Sequence, residues 1–140
     1  MTAALKAGAT YFAIVYLAGF VLGTVRVLLL ASRIGEVAAV LLETPIMLTA
    51  SWIVSRWCTG RFGVPPEVQL RLLMGGVAFT LLILGEFGVS MLAFGMSWEG
   101  TVASALSPSG LIGLSAQVAF ALLPLLRALL KRKPGQVPRV

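Results

Sequence analysis

The sequence predicts an all-α fold, a four-helix transmembrane bundle threaded up-down-up-down with both termini cytoplasmic. Three observations carry that expectation. Hydrophobic residues make up 59% of the chain and charged residues only 11%, too little polar surface to coat a soluble core. The apolar residues gather in four stretches of about twenty, the length that crosses a hydrocarbon layer. The basic residues then fall at alternate ends of those stretches.

The first span is 11–30. Lys6 ahead of an apolar run is also how a signal peptide starts, but this run carries Arg26 and lacks a small-residue cleavage site, so it reads as a span. A short connection, Ala31-Ser32-Arg33-Ile34-Gly35, leads into the second span, 36–55. A polar, turn-rich loop starts at Cys58, and Pro65, Pro66 and Glu67 suit the first turn of a third helix. That span covers 70–94. Between Ser97 and Ser109, Trp98, Val102 and Leu106 recur at helical spacing, so the segment is either a short interfacial helix or a loose connector. The fourth span, 111–130, carries Pro124 as a kink. Residues 1–133 form a single transmembrane domain and 134–140 a short basic tail.

Lys and Arg near the span ends set the threading. Lys6, then Arg56, Arg61 and Arg71 in and beside the second loop, then Arg127, Lys131, Arg132, Lys133 and Arg139 all fall on one side of an even-spanned chain. The first and third loops offer only Arg33. Trp57 and Trp98 then sit near opposite interfaces as amphipathic anchors.

The formal net charge of +6 does not signify nucleic acid, because the cations sit at helix ends and in the tail with no interleaved aromatics. With no histidine and one cysteine, Cys58, the chain has no imidazole base, no His-rich metal site and no internal disulfide. No nucleophile–base pair is visible, so the sequence argues against an enzyme and implies no metal or cofactor. Cys58 reads as a thiol at the membrane edge, either open to S-acylation or inert. Trp52 reads as core packing or as a stacking partner for Arg56.

The informative residues are the polar ones inside the spans. A charge in hydrocarbon costs on the order of 3 kcal/mol or more unless paired or wet. With about 1.5 Å of rise per residue, Arg26 falls about 8 Å, Glu86 about 6 Å and Gln117 about 4–5 Å to the outer side of their span centres, with Glu43 close to the midplane. Arg26, Glu43, Glu86 and Gln117 are therefore expected to share one buried layer inside the bundle. Folding the first two spans as a hairpin brings Arg26 opposite Val40, within reach of either Glu43 or Glu36. Glu36 and Arg33 would guard the outer mouth.

Gly19 and Gly23 below Arg26, and Gly85 and Gly88 around Glu86, read as close-packing positions. Pro45, the second expected kink, cannot donate to the carbonyl of Leu41 and so leaves an acceptor near Glu43.

Two readings of that cluster stand side by side. In one it is a structural network that fixes helix order in a scaffold or accessory bundle. In the other, Arg26 neutralises one acid and leaves Glu86 protonated or waiting for a cation, as in a small proton- or cation-coupled transporter or channel using Glu86 and Glu43. Lipid or a small apolar ligand held between helices is a third reading. The lipid bilayer is the first partner implied, with homo-oligomer formation or docking in a larger membrane complex as further ones. Lys131, Arg132 and Lys133 can touch anionic lipid or serve only as an orientation signal.

Arg33-Ile34-Gly35-Glu36, Glu43-Thr44-Pro45-Ile46-Met47, Ser51-Trp52 and Arg56-Trp57 together resemble small four-span membrane proteins found widely in proteobacteria. That resemblance covers most of the chain. It implies a bacterial inner membrane and no particular mechanism. Small multidrug transporters are similar in size and span number, but their essential Glu lies in the first helix, where this chain has Arg26.

Overall fold

A computed structural model describes residues 1–130. Lys131, Arg132 and Lys133, expected to touch anionic lipid or orient the chain, and the basic tail lie outside the described residues. The described chain is helical almost throughout: α1 (Thr2–Ile34), α2 (Glu36–Arg61), α3 (Val68–Leu92), α4 (Trp98–Ala105) and α5 (Pro108–Leu130). Four of them, α1, α2, α3 and α5, are long and apolar enough to cross a membrane, which marks the chain as a membrane protein. Their outward surface agrees with that reading: Leu17, Leu28 and Leu84 are 66%, 69% and 64% exposed, which water would oppose and lipid would not.

α1, α2 and α5 run past the limits that hydropathy alone sets, and α3 is shifted two residues toward the N-terminus. α1 begins at Thr2 and continues through the expected connection to Ile34, with its hydrogen bonding widened to a π-helical turn over Arg26–Leu30. What ends it is Gly35, at φ 83° and ψ 159°, a conformation that side-chain-bearing residues rarely adopt. α2 takes in Cys58, Thr59 and Gly60, which the polar composition had assigned to a loop. Pro65 and Pro66 lie before α3 rather than in its first turn: Glu67 is its extended N-cap, and Arg71 donates to the carbonyls of Val64 (2.8 Å) and Pro65 (3.0 Å), holding the loop outside the helix. The segment after Ser97 is the short helix α4. Ser97 caps it by accepting from the Gly100 N–H, and Trp98 leans on Phe87 of α3.

The long helices form a four-membered ring in which α1 and α5 each pack against both α2 and α3. α1 and α5 face each other across the diagonal. The core is built from short-stepped faces: Ala4, Ala7, Tyr11 and Val15 of α1, Met74, Ala78 and Leu82 of α3, Cys58 of α2 and Phe120 of α5. Val64, from the α2–α3 loop, tucks into the same cluster.

Between the long helices, two glycines allow backbones to touch. A Cβ on Gly8 would stand 2.6 Å from the Met74 carbonyl oxygen, and one on Gly75 would collide with the carbonyl of Ala121. The glycines singled out from sequence behave differently. Gly23 and Gly88 face open space, Gly19 meets only the methyl of Met47, and Gly85 lies against the Tyr16 ring.

Both expected kink prolines sit inside unbroken helices, Pro45 in α2 and Pro124 in α5. Pro124 has no N–H to give the carbonyl four residues back, that of Phe120. Tyr11 of α1 supplies the missing donor: its hydroxyl donates to the Phe120 oxygen at 3.0 Å. The break made in one helix is thus closed by its diagonal neighbour.

Candidate functional site: the polar fastenings of the bundle

The four residues expected to form one cluster appear as two pairs. Arg26 meets Glu43, with Nε 2.7 Å from Oε2. The N–H is not aimed at that oxygen, so the contact is an ion pair without hydrogen-bond alignment. Of the two partners open to Arg26, it takes Glu43 and not Glu36. The π-helical turn starts at Arg26 itself, so the guanidinium leaves the helix at a place where the backbone is already reorganised.

The second pair joins α5 to α3. Gln117 Nε2 donates to both carboxylate oxygens of Glu86, at 2.7 and 2.8 Å. Gln117 Oε1 is buried without a partner. Arg26 also lies within electrostatic range of Glu86, so the two pairs are neighbours though not one network.

The expected enclosure holds only in part. Arg26, Glu43 and Gln117 are half-buried, whereas Glu86 is exposed at the margin of the α3–α5 contact. The bundle is narrow, with its best-packed core around Tyr11, Met74 and Phe120, so a long side chain in the other half reaches the rim.

The longer helices also shift the depths. Counted from the observed midpoints at about 1.5 Å per residue, Arg26 stands about 12 Å away, Glu43 about 8 Å, Glu86 about 9 Å and Gln117 about 3 Å. Glu43 is therefore well off centre, because α2 extends to Arg61.

Glu36 accepts from Ser109 Oγ at 3.0 Å, and Ser107 in turn caps α5 through the Gly110 N–H. Glu36 is exposed in the first turn of α2, where a carboxylate suits the helix dipole. Arg33 is exposed, and among the described residues it makes no ion pair. Beside Pro45, Thr44 Oγ1 donates to the Val40 carbonyl and Thr49 Oγ1 to that of Pro45.

Every edge of the ring carries a fastening: Arg26–Glu43 for α1 and α2, Glu36–Ser109 for α2 and α5, Glu86–Gln117 for α3 and α5, and the Gly8 approach for α1 and α3.

Sequence reasoning missed Arg127, which it used only as an orientation charge. Arg127 is just 7% exposed; its guanidinium stacks over Trp52 at 5.4 Å and donates to Thr59 Oγ1 at 3.4 Å. The available signal was its place inside the apolar run Leu125-Leu126-Arg127-Ala128-Leu129-Leu130. Trp52 reads from sequence as core packing or as a stacking partner for Arg56; in the structure it is Arg127 that stacks over it. Cys58, expected at a membrane edge, is fully buried, because its face of α2 packs into the core cluster.

Among the clefts of the described residues, two stand out. One, about 480 Å³, is a shallow apolar groove along a single helix, lined by Pro45, Ile46, Thr49, Ala50 and Ile53. The other, about 250 Å³, lies between α2 and α5 and is lined by Trp52, Arg56, Arg127 and Leu130. Neither touches Glu43 or Glu86. Among the described residues no three His, Cys, Asp or Glu side chains gather where a metal could sit.

The class that fold and site define is an all-helical membrane protein with four candidate spans and helix-to-helix polar fastenings. The chain matches no family model, no curated protein and no solved structure.

Proposed function

We propose that this protein is a membrane scaffold or accessory helix bundle whose intramembrane polar residues hold helices together and carry nothing across. One observation carries the reading: the acids and their partners are committed to inter-helix contacts distributed around the ring, Arg26 to Glu43, Gln117 to Glu86 and Ser109 to Glu36. A carrier would instead gather its acids around a route. In lipid such contacts are favoured because a lone polar group has no water to turn to.

The threading we infer is up-down-up-down with both termini cytoplasmic, in a bacterial inner membrane. The alternation of Lys and Arg supports the orientation. Arg26 near the end of α1 touching Glu43 near the start of α2 supports an antiparallel first pair. The bacterial setting rests on the resemblance around Arg33–Glu36 and Glu43–Met47.

The exposed Glu86, on a surface otherwise suited to lipid, supports the accessory part of the reading: a second copy of the chain or another membrane protein covers that margin. The test is flux. Proteoliposomes holding the wild-type chain should pass protons and monovalent cations no faster than protein-free vesicles. A flux that Glu86→Gln abolishes would replace the scaffold by the transporter.

A further inference from the structure

At the end of the bundle away from Arg26 and Glu43, three arginines draw together. Arg127 and Arg56 line the cleft between α2 and α5, and Arg71 and Arg56 are each within electrostatic range of Arg127. Arg71 is spent on the Val64 and Pro65 carbonyls. Arg127 is more than nine-tenths buried, yet its guanidinium has one long hydrogen bond, to Thr59, and the face of Trp52. Arg56 is exposed and, among the described residues, unpaired.

Like charges lining one cleft repel, and an anion between them relieves that repulsion. Among the described residues no acid pairs with them. Of its acidic residues, Glu36, Glu43 and Glu86 are held in contacts at the other end and Glu99 lies in α4; Glu67, in the α2–α3 loop, is exposed and pairs with none of the three arginines.

We propose that the cleft lined by Trp52, Arg56, Arg127 and Leu130 is a phosphate-binding site. Two guanidinium forks present parallel N–H donors that match phosphate oxygens, which a lysine pair would not do as well. The cleft sets Leu130 and the Trp52 ring beside the arginines. That mixture suits a phosphate attached to an apolar body, as in an anionic phospholipid, and free phosphate shares the same oxyanion chemistry. Arg56 and Arg127 stand about 11 and about 12 Å from the midpoints of their helices, close to where a bilayer's head groups begin. The site is independent of the scaffold reading, since it uses none of its fastenings.

The full chain, purified in a neutral detergent, is titrated with phosphatidylglycerol, phosphatidylcholine or inorganic phosphate while its thermal unfolding is followed. Phosphatidylglycerol should raise the midpoint, and Arg56→Gln should weaken that effect about tenfold in half-saturating lipid. Arg61→Gln, an exposed arginine at the same end that does not line the cleft, should leave it unchanged. Arg56 is exposed, so its replacement does not threaten folding as that of Arg127 would, and the tail lysines remain in both variants. If inorganic phosphate alone gives the Arg56-dependent shift, the site stands and its source is free phosphate. No shift with either ligand, or equal losses in Arg56→Gln and Arg61→Gln, would overturn it.

Discussion

Tyr11 and Phe120 join helices that otherwise do not pack together: the Tyr11 hydroxyl donates to the Phe120 carbonyl at 3.0 Å while their rings stack 4.3 Å apart. The carbonyl is free because Pro124 follows it by one helical turn. Proline in α5 and tyrosine in α1 therefore act as a unit, the first opening an acceptor and the second filling it.

Tyr11→Phe keeps the stacked ring and removes the donor. It should destabilise the protein by about 1–3 kcal/mol, the range for leaving a buried acceptor unsatisfied. Pro124→Ala restores an N–H to that carbonyl, so Tyr11→Phe should have a smaller effect in the Pro124→Ala background. Unfolding in mixed micelles measures all four proteins; equal effects in both backgrounds would separate the two residues.

Gly75→Ala and Gly23→Ala should part company. A Cβ at Gly75 runs into the backbone of Ala121 and forces α3 from α5, whereas a Cβ at Gly23 meets open space. The first should destabilise strongly. The second should be neutral or gain up to about 1 kcal/mol from helix propensity. Thermal unfolding of both variants in one detergent decides this, and the reverse order would contradict the packing described.

Cys58 should resist modification in the folded protein. Its thiol is fully buried in the core beside Tyr11 and Met74. A maleimide should label it only after unfolding, and labelling as fast as that of a free thiol would place the α2 end elsewhere.

Helix number and type were legible in the sequence, because four apolar runs of spanning length admit few other structures. Their ends were not. Thr59 looks like loop until Arg127 of a neighbouring helix covers it, and Val64 looks like loop until it fills the core. The hairpin's reflection narrows the partner of Arg26 to Glu43 or Glu36, and the structure selects Glu43. Glu86–Gln117 depended on which helix stands beside which. That ring order is set by Gly8 and Gly75, whose backbone contacts no local pattern announces. Arg127 was obscured because its charge had already been used to argue orientation, and a cation near a span end normally reaches for water.

The most direct test of the scaffold reading is a double-mutant cycle on Arg26→Gln and Glu43→Gln, read as unfolding free energy in lipid nanodiscs. If the pair fastens α1 to α2, the single variants should each be destabilised and the double variant should recover about 1–3 kcal/mol relative to their sum. Effects that add to within about 0.5 kcal/mol would mean that the two side chains do not depend on each other, contradicting a bundle held by its charges.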